Sequence, residues 1–209
     1  MKYKNKINFT LTILLFFFIG ISITGCSGSL PVLTVNYYIG YIGKVKDNPS
    51  VSMEAVDDRL SKETLSSNVK NLFPGWKEML SLKISRDFEE SKSEGIFSPK
   101  DMLARTIEKK FSETGFNFKQ RSSEIPLFRV ILEQMQLDII NRTWIATICY
   151  RVELHIDGHI VYTRTVDGKA EKTRITGKKG ADEVLSQAIT EAVNDLDPER
   201  IYRALAENM

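Results

Sequence analysis

Apolar and polar positions change their period along this chain, and each change marks an element. Residues 51–56 alternate and stop at Asp57-Asp58-Arg59, which predicts a strand entering a polar turn. Residues 60–78 are rich in Ser, Lys and Asn around Phe73-Pro74-Gly75-Trp76 and predict a long loop. Leu80, Leu82 and Ile84 fall on one face of another short strand. Ser98-Pro99-Lys100-Asp101 predicts a helix start, with Ser98 as cap, Pro99 at the first helical position and Asp101 in the place of a capping-box acid. Leu103, Ile107 and Phe111 then recur every four residues until Gly115 supplies a stop. After a possible short strand at 116–119, β-branched and aromatic runs at 127–137, 143–156 and 159–173 predict a three-strand meander. Gly180 or Asp182 opens a second helix whose stripe is Ala181, Val184, Leu185, Ala188, Ala192 and Leu196. Asp197-Pro198 starts a short terminal helix carrying Ile201 and Leu205. Residues 30–42 are apolar and hold three tyrosines; they read as a first strand or a packed arm. The whole predicts an α+β domain: an antiparallel sheet with a C-terminal meander, one face covered by two main helices and a short terminal one.

The N-terminus has a different pattern. Lys2, Lys4 and Lys6 precede an apolar run over residues 7–23, broken only by Asn8, Thr10, Thr12, Gly20 and Ser22. This is the order of a secretion signal, a charged segment followed by a hydrophobic one. The run is barely long enough to span about 30 Å of hydrocarbon and no stop-transfer charges follow it, which favours cleavage over a retained anchor. The expected organisation is a signal peptide at 1–25, a tether and arm at 26–50, and a single domain at 51–209.

Charge changes the picture once the signal is set aside. Residues 1–25 hold three lysines and no acid, so 26 basic and 27 acidic side chains remain. A nearly neutral domain has no net field to condense on phosphates, which argues against nucleic acid as a partner and predicts no polybasic membrane patch. Cys26 and Cys149 are the only cysteines. With Cys26 modified, Cys149 has no disulfide partner and no thiolate cluster for zinc can form.

Ile23-Thr24-Gly25-Cys26 resembles the lipobox of bacterial lipoproteins, with Ile in place of the commoner Leu. The resemblance implies diacylglyceryl transfer to the Cys26 thiol, cleavage before it, and a membrane anchor of two or three acyl chains, each buried CH₂ contributing about 0.8 kcal/mol. Ser27 follows the lipidated position, where the sorting rule for such proteins keeps Asp in the inner membrane, so the outer membrane facing the periplasm is implied. The turn at 56–59, the helix ending in Thr114-Gly115-Phe116, the meander, and residues 188–195 of the last long helix together resemble YajG-type envelope lipoproteins. Auxiliary lipoproteins of lipid-transporting ABC systems are a second family of comparable size and layout. The first resemblance implies no activity and no functional residue beyond Cys26.

Candidate chemistry is sparse. Both histidines, His155 and His159, flank the hairpin at Asp157-Gly158. A two-residue Asp157-Gly158 loop sets Ile156 opposite His159 and Arg151 opposite Arg164. A three-residue loop with Gly158 left-handed pairs Leu154 with Ile160 and Val152 with Tyr162, sets His155 opposite His159, and keeps the apolar face intact; it is the expected register. Two imidazoles with Glu153 and Asp157 nearby could then hold a metal; a solvated hairpin tip is the simpler reading, and neither metal nor cofactor is expected. No Gly-x-Ser-x-Gly elbow exists, and the carboxylates of Asp57 and Asp58 alternate sides, so they read as turn acids. Thr176-Gly177-Lys178-Lys179-Gly180 lacks the phosphate-loop frame and reads as a basic turn whose following helix could bind an anion weakly. Tyr37, Tyr38, Tyr41 and Trp76 read as core filling, with docking on a partner or membrane as the alternative. The reading that results is a noncatalytic, lipid-anchored envelope protein with a protein partner in the envelope. The alternatives are an accessory lipoprotein of a transporter or lipid-trafficking system, marked by an apolar groove or exposed strand edge, and remotely a metal-dependent hydrolase.

Overall fold

In a computed structural model of the chain, residues 31–40, 43–86, 90–174 and 177–209 are described. The strands are β1 (Leu33–Ile39), β2 (Ser50–Asp57), β3 (Leu80–Arg86), β4 (Lys92–Phe97), β5 (Asn117–Phe118), β6 (Leu127–Ile140), β7 (Thr143–Ile156) and β8 (His159–Thr173). The helices are α1 (Ser67–Lys70), α2 (Pro99–Thr114), α3 (Ala181–Asp195) and α4 (Pro198–Asn208). Two sheets form: β1-β3-β4, and a larger one in the order β5-β2-β6-β7-β8. The meander β6-β7-β8 is antiparallel, whereas β2 joins β6, and β1 joins β3, in parallel. Parallel pairing needs a long crossover; everything from α1 to β5 lies between β2 and β6.

The fold is the α+β class expected, with α2 and α3 each touching both sheets. Inward residues of the strands, such as Leu33, Val35, Tyr37, Leu80, Leu82, Phe128, Val130, Tyr150 and Val152, join Leu103, Ile107, Phe111, Leu185, Ala188 and Ala192 in one buried cluster. The start of α2 is as the sequence indicated: Ser98 is its cap, accepting from the Asp101 amide, and Gly115 ends it at φ 107°. Residues 33–39 take the strand alternative, with Leu33, Val35, Tyr37 and Ile39 all inward.

Helix α3 is held by devices of two other elements. The β1 edge that pairs no strand is covered by one stripe of α3: Thr34 N donates to Asp182 Oδ1 at 3.0 Å and Asn36 N to Ser186 Oγ at 2.9 Å. At its C-terminus, where carbonyls lack intrahelical partners, buried Lys110 of α2 donates to Val193 O, Asn194 O and Leu196 O at 2.8, 3.1 and 2.6 Å. Burial pushes the Lys110 ammonium down to about 8, with Asp197 and Asp195 opposing the shift, so it stays mostly charged at neutral pH.

The expected hairpin register is overturned. Asp157 (φ 50°) and Gly158 (φ 80°) form a two-residue turn with Ile156 opposite His159. One residue later a bulge at Val161 restores alternation, giving Leu154↔Tyr162 and Val152↔Arg164. The bulge removes the conflict predicted for that loop, because Arg151 meets Thr165 rather than Arg164. An Asp-Gly pair suits the left-handed turn, and the bulge absorbs the register error.

Candidate functional site

The larger sheet turns its side away from the helices into a continuous row of charge. Parallel pairing sets Glu54 of β2 beside Arg129 of β6, and antiparallel pairing sets Arg129 beside Glu153 of β7. Arg129 Nε donates to Glu54 Oε2 at 2.9 Å, and its Nη1 lies 3.9 Å from Glu153 Oε2. Arg121, from the loop before β6, adds a 3.2 Å bond to Glu54. Glu153 also pairs with Arg151, which reaches Glu133 at 2.9 Å. The hydrogen bond from Arg129, aided by Arg121, holds the Glu54 carboxyl below its ordinary range. Glu153 is 5% exposed, so its charge is tolerated only because Arg151, Arg129 and His155 surround it.

His155 projects from the same side, its Nε2 2.9 Å from Glu153 Oε2. Its cross-strand partner is Ile160, and His159 sits exposed opposite Ile156, so the two imidazoles are not paired. Among the described residues no group of three His, Cys, Asp or Glu side chains is arranged to hold a metal. Cys149 lies beside Glu133 at 3.6 Å; burial together with Asp167 and Glu133 pushes its thiol up to about 12, where it is no nucleophile.

Beyond the row, the loop at 119–126 and the β7–β8 hairpin enclose a cleft of about 650 Å³. Arg121, Ser122, Ser123, Arg129, His155 and Asp157 line it with polar groups, and Ile125 and Leu127 with apolar ones. Its arginines already share Glu54, so the cleft presents paired charges with free N–H and oxygen edges. That chemistry suits hydrogen bonding to a peptide or another polar chain.

The remaining sequence candidates have structural roles. Asp57 does not work with Asp58; it clasps buried Arg59 through Nη2 at 2.9 Å and Nε at 3.0 Å, while Thr64 accepts from Nη1. The Arg59 hydrogen bonds pull the Asp57 carboxyl down to about 2. Asp58 is exposed. Tyr37 is buried, its hydroxyl donating to Asn194 Oδ1 at 3.0 Å, and half-buried Trp76 donates to Met79 O. Tyr38 is exposed on the smaller sheet. Gly177–Gly180 make the turn into α3, whose cap is Gly180 without a side-chain bond. Cys26, Tyr41 and Thr176 lie outside the described residues. The Glu54–Arg129–Glu153 row escaped sequence reasoning because it depends on the parallel β2–β6 pairing.

No helix of the described residues is long and apolar enough to cross a membrane. The sequence matches no family model and no curated protein. Solved structures are similar in architecture. Protein XCC0632 of Xanthomonas campestris (DUF330) has a TM-score of 0.47 and 15% identity, covering 86% of this chain and 99% of its own. A minor lipoprotein of Acinetobacter baumannii has a TM-score of 0.36 at 10% identity, over 77% of this chain and 94% of its own. Lipoprotein GNA1162 of Neisseria meningitidis has a TM-score of 0.35 at 9% identity, over 71% and 99%.

Proposed function

We propose that this chain is a noncatalytic lipoprotein of the bacterial envelope, cut before Cys26, anchored by acyl chains on that residue in the outer membrane, and facing the periplasm, where its domain binds another envelope component. The observation that carries the reading is the lipobox-like Ile23-Thr24-Gly25-Cys26 placed just ahead of the first strand at Leu33. Residues 27–32, fully extended, reach about 20 Å, so the anchor keeps the domain close to the bilayer. The cleft between the loop at 119–126 and the β7–β8 hairpin is the docking site on this reading. Its arginines are held in place by Glu54, which supports a recognition surface of fixed polar groups. Within this class, the order of turn, capped helix, meander and long final helix supports the YajG-type resemblance.

One observation favours the accessory role in a transporter or lipid-trafficking system. β8, a strand of 15 residues, is terminal in its sheet, so among the described residues one of its edges pairs no strand and offers backbone groups for strand addition by a partner.

The test is crosslinking in cells that express the tagged, lipidated protein, with Cys26→Ser as the unanchored control and palmitate labelling to read acylation. Capture of an envelope assembly that depends on Cys26, and that Arg129→Glu abolishes, is the expected result. Capture of a transporter subunit instead, insensitive to Arg129→Glu, favours the accessory role. An unlabelled protein, or equal capture by the Cys26→Ser form, refutes the anchoring.

A further inference from the structure

Four cations, Arg142 and three within residues 174–179, lie at the end of the domain from which the N-terminal chain departs. β1 begins against the start of α3, where Thr34 N donates to Asp182. The same end holds the β6–β7 turn and the segment before α3: Trp144 Nε1 donates to Lys179 O at 3.0 Å, and Arg174 N to Arg142 O at 2.8 Å. The Arg174 guanidinium lies 5.9 Å from the Trp144 ring centroid, and Lys178 Nζ lies 5.0 Å from that of Phe73. Arg142, Lys178 and Lys179 are exposed and Arg174 is half-buried.

The acids of this end are engaged elsewhere. Glu183 pairs with Lys172 and Glu171 with Lys169, while Asp138 keeps its charge, accepting from the neutral side chains of Ser66 and Asn68 and from the Ile139 amide, which leaves four cations against one exposed-side carboxylate. Asp182 accepts from the Thr34 amide, and burial holds its carboxyl above the ordinary range. Among the described residues no carboxylate forms an ion pair with Arg142, Arg174, Lys178 or Lys179. Beside them stand two exposed apolar side chains, Ile140 at 49% and Val32 at 37%. Arg142 itself holds a left-handed backbone, φ 64°, at the second position of a two-residue turn, where glycine is the favoured residue.

Resting on the lipid-anchor reading, we propose that this end of the domain is a contact surface for the anionic phosphate headgroups of the bilayer that holds the anchor. Arg142, Arg174, Lys178 and Lys179 meet the phosphates, and Ile140 enters the headgroup layer beside them. The reach of residues 27–32, about 20 Å, delivers this end and not the opposite one to the surface. At about 3.4 Å per residue, β7 carries His155 and its cleft roughly 35 Å from Trp144, out toward the periplasm. A basic cluster beside a lipid chain is the second signal that converts a tether into an oriented attachment.

The test uses the full lipidated protein carrying Ile140→Trp, in vesicles of brominated phosphatidylcholine with or without phosphatidylglycerol. Flotation in high salt reads the anchor, because acyl insertion is not screened. Quenching of the new tryptophan, above that of the parent protein, reads contact of the basic end. Expected is several-fold stronger quenching when phosphatidylglycerol is present, lost on adding salt, and lost with Lys178→Glu/Lys179→Glu. Ile160→Trp, 55% exposed on the far hairpin, stays unquenched. Arg142→Gly relieves the turn, so weaker quenching from a domain at least as stable excludes misfolding as the cause. Equal quenching in both vesicles, with flotation intact, overturns this proposal alone; loss of flotation overturns the anchor reading and this one with it.

Discussion

Helix α3 lies close against the larger sheet at Gly168 of β8, and replacing this residue with alanine tests the packing. A Cβ built there stands 2.3 Å from the Ala188 carbonyl oxygen, 2.8 Å from Ala192 Cβ and 2.9 Å from Ile148 Cγ2, against 3.4 Å for ordinary contact. The first obstacle is helix backbone, so no rotamer change relieves it; α3 must retreat by about 1 Å. The helix cannot retreat alone, since Asp182 and Ser186 hold β1, Lys110 holds its C-terminus, and Ala192 O accepts from Tyr150 Oη at 3.0 Å. Overpacking of this kind costs about 3 kcal/mol, at the upper end of its range. For a domain of this size that lowers Tm by about 6–12 °C. The sign is diagnostic, because glycine to alanine in open extended backbone normally stabilises by about 0.4–1 kcal/mol. Gly40, with no atom within 4 Å of its Cβ, is the matched control. Thermal and urea unfolding of Gly168→Ala beside Gly40→Ala decides the matter. Equal midpoints for both variants would refute the close approach and the position of α3 that depends on it.

Other substitutions probe separate parts of the fold and site. Lys110→Met keeps the stem but takes its donor from Asn194 O and Leu196 O and leaves Val193 O with the Leu196 amide alone, so urea unfolding is expected to register a loss of about 3 kcal/mol. Asp57, with its carboxyl lowered to about 2, contributes about 2 kcal/mol above its unfolded value near 3.8 and loses it as pH falls toward 2. The stability gap between wild type and Asp57→Asn is therefore widest above pH 4 and shrinks toward pH 2; a gap independent of pH over that window would contradict the Arg59 clasp. Added Zn²⁺ is expected to leave Tm unchanged in wild type and in His155→Ala/His159→Ala, and a zinc-dependent rise lost in the double variant would overturn the hairpin register.

Legibility followed the range of the interactions. The α2 boundaries depend on Ser98, Pro99, Asp101 and Gly115 acting on neighbours a few residues away, and such signals survive in any tertiary context. The meander was legible for the same reason, its strands being joined by two-residue turns at Asn141-Arg142 and Asp157-Gly158. β4 was missed because Lys92–Phe97 is polar and mostly unburied, with Gly95 at φ 131° near a bulge. β1 alternates well over Leu33–Ile39, but apolar residues before it blur the period. The β2–β6 pairing joins segments some 75 residues apart, and nothing local encodes it, so the row Glu54-Arg129-Glu153 was invisible. The hairpin register departs from unbroken alternation, because a single bulge at Val161 allows the shorter Asp157-Gly158 turn.

Charge is where sequence arithmetic misleads most. A total of 26 cations against 27 acids after Cys26 implies no membrane patch only if the two signs are mixed evenly. The fold does not mix them. Glu54, Glu133 and Glu153 are consumed by arginines on the sheet, Glu94 by Arg105 and Lys109, and Asp57 by Arg59. Each such pair is nearly silent at a distance. What reaches solvent as a field is the unpaired remainder, and near the start of β1, among the described residues, that remainder is Arg142, Arg174, Lys178 and Lys179 against Asp138 and the largely buried Asp182, a net excess of positive charge. Within a Debye length of about 8 Å, an approaching bilayer responds to these local cations rather than to the sum over the chain. A neutral protein can therefore orient on an anionic surface, provided its acids are paired where the surface does not reach.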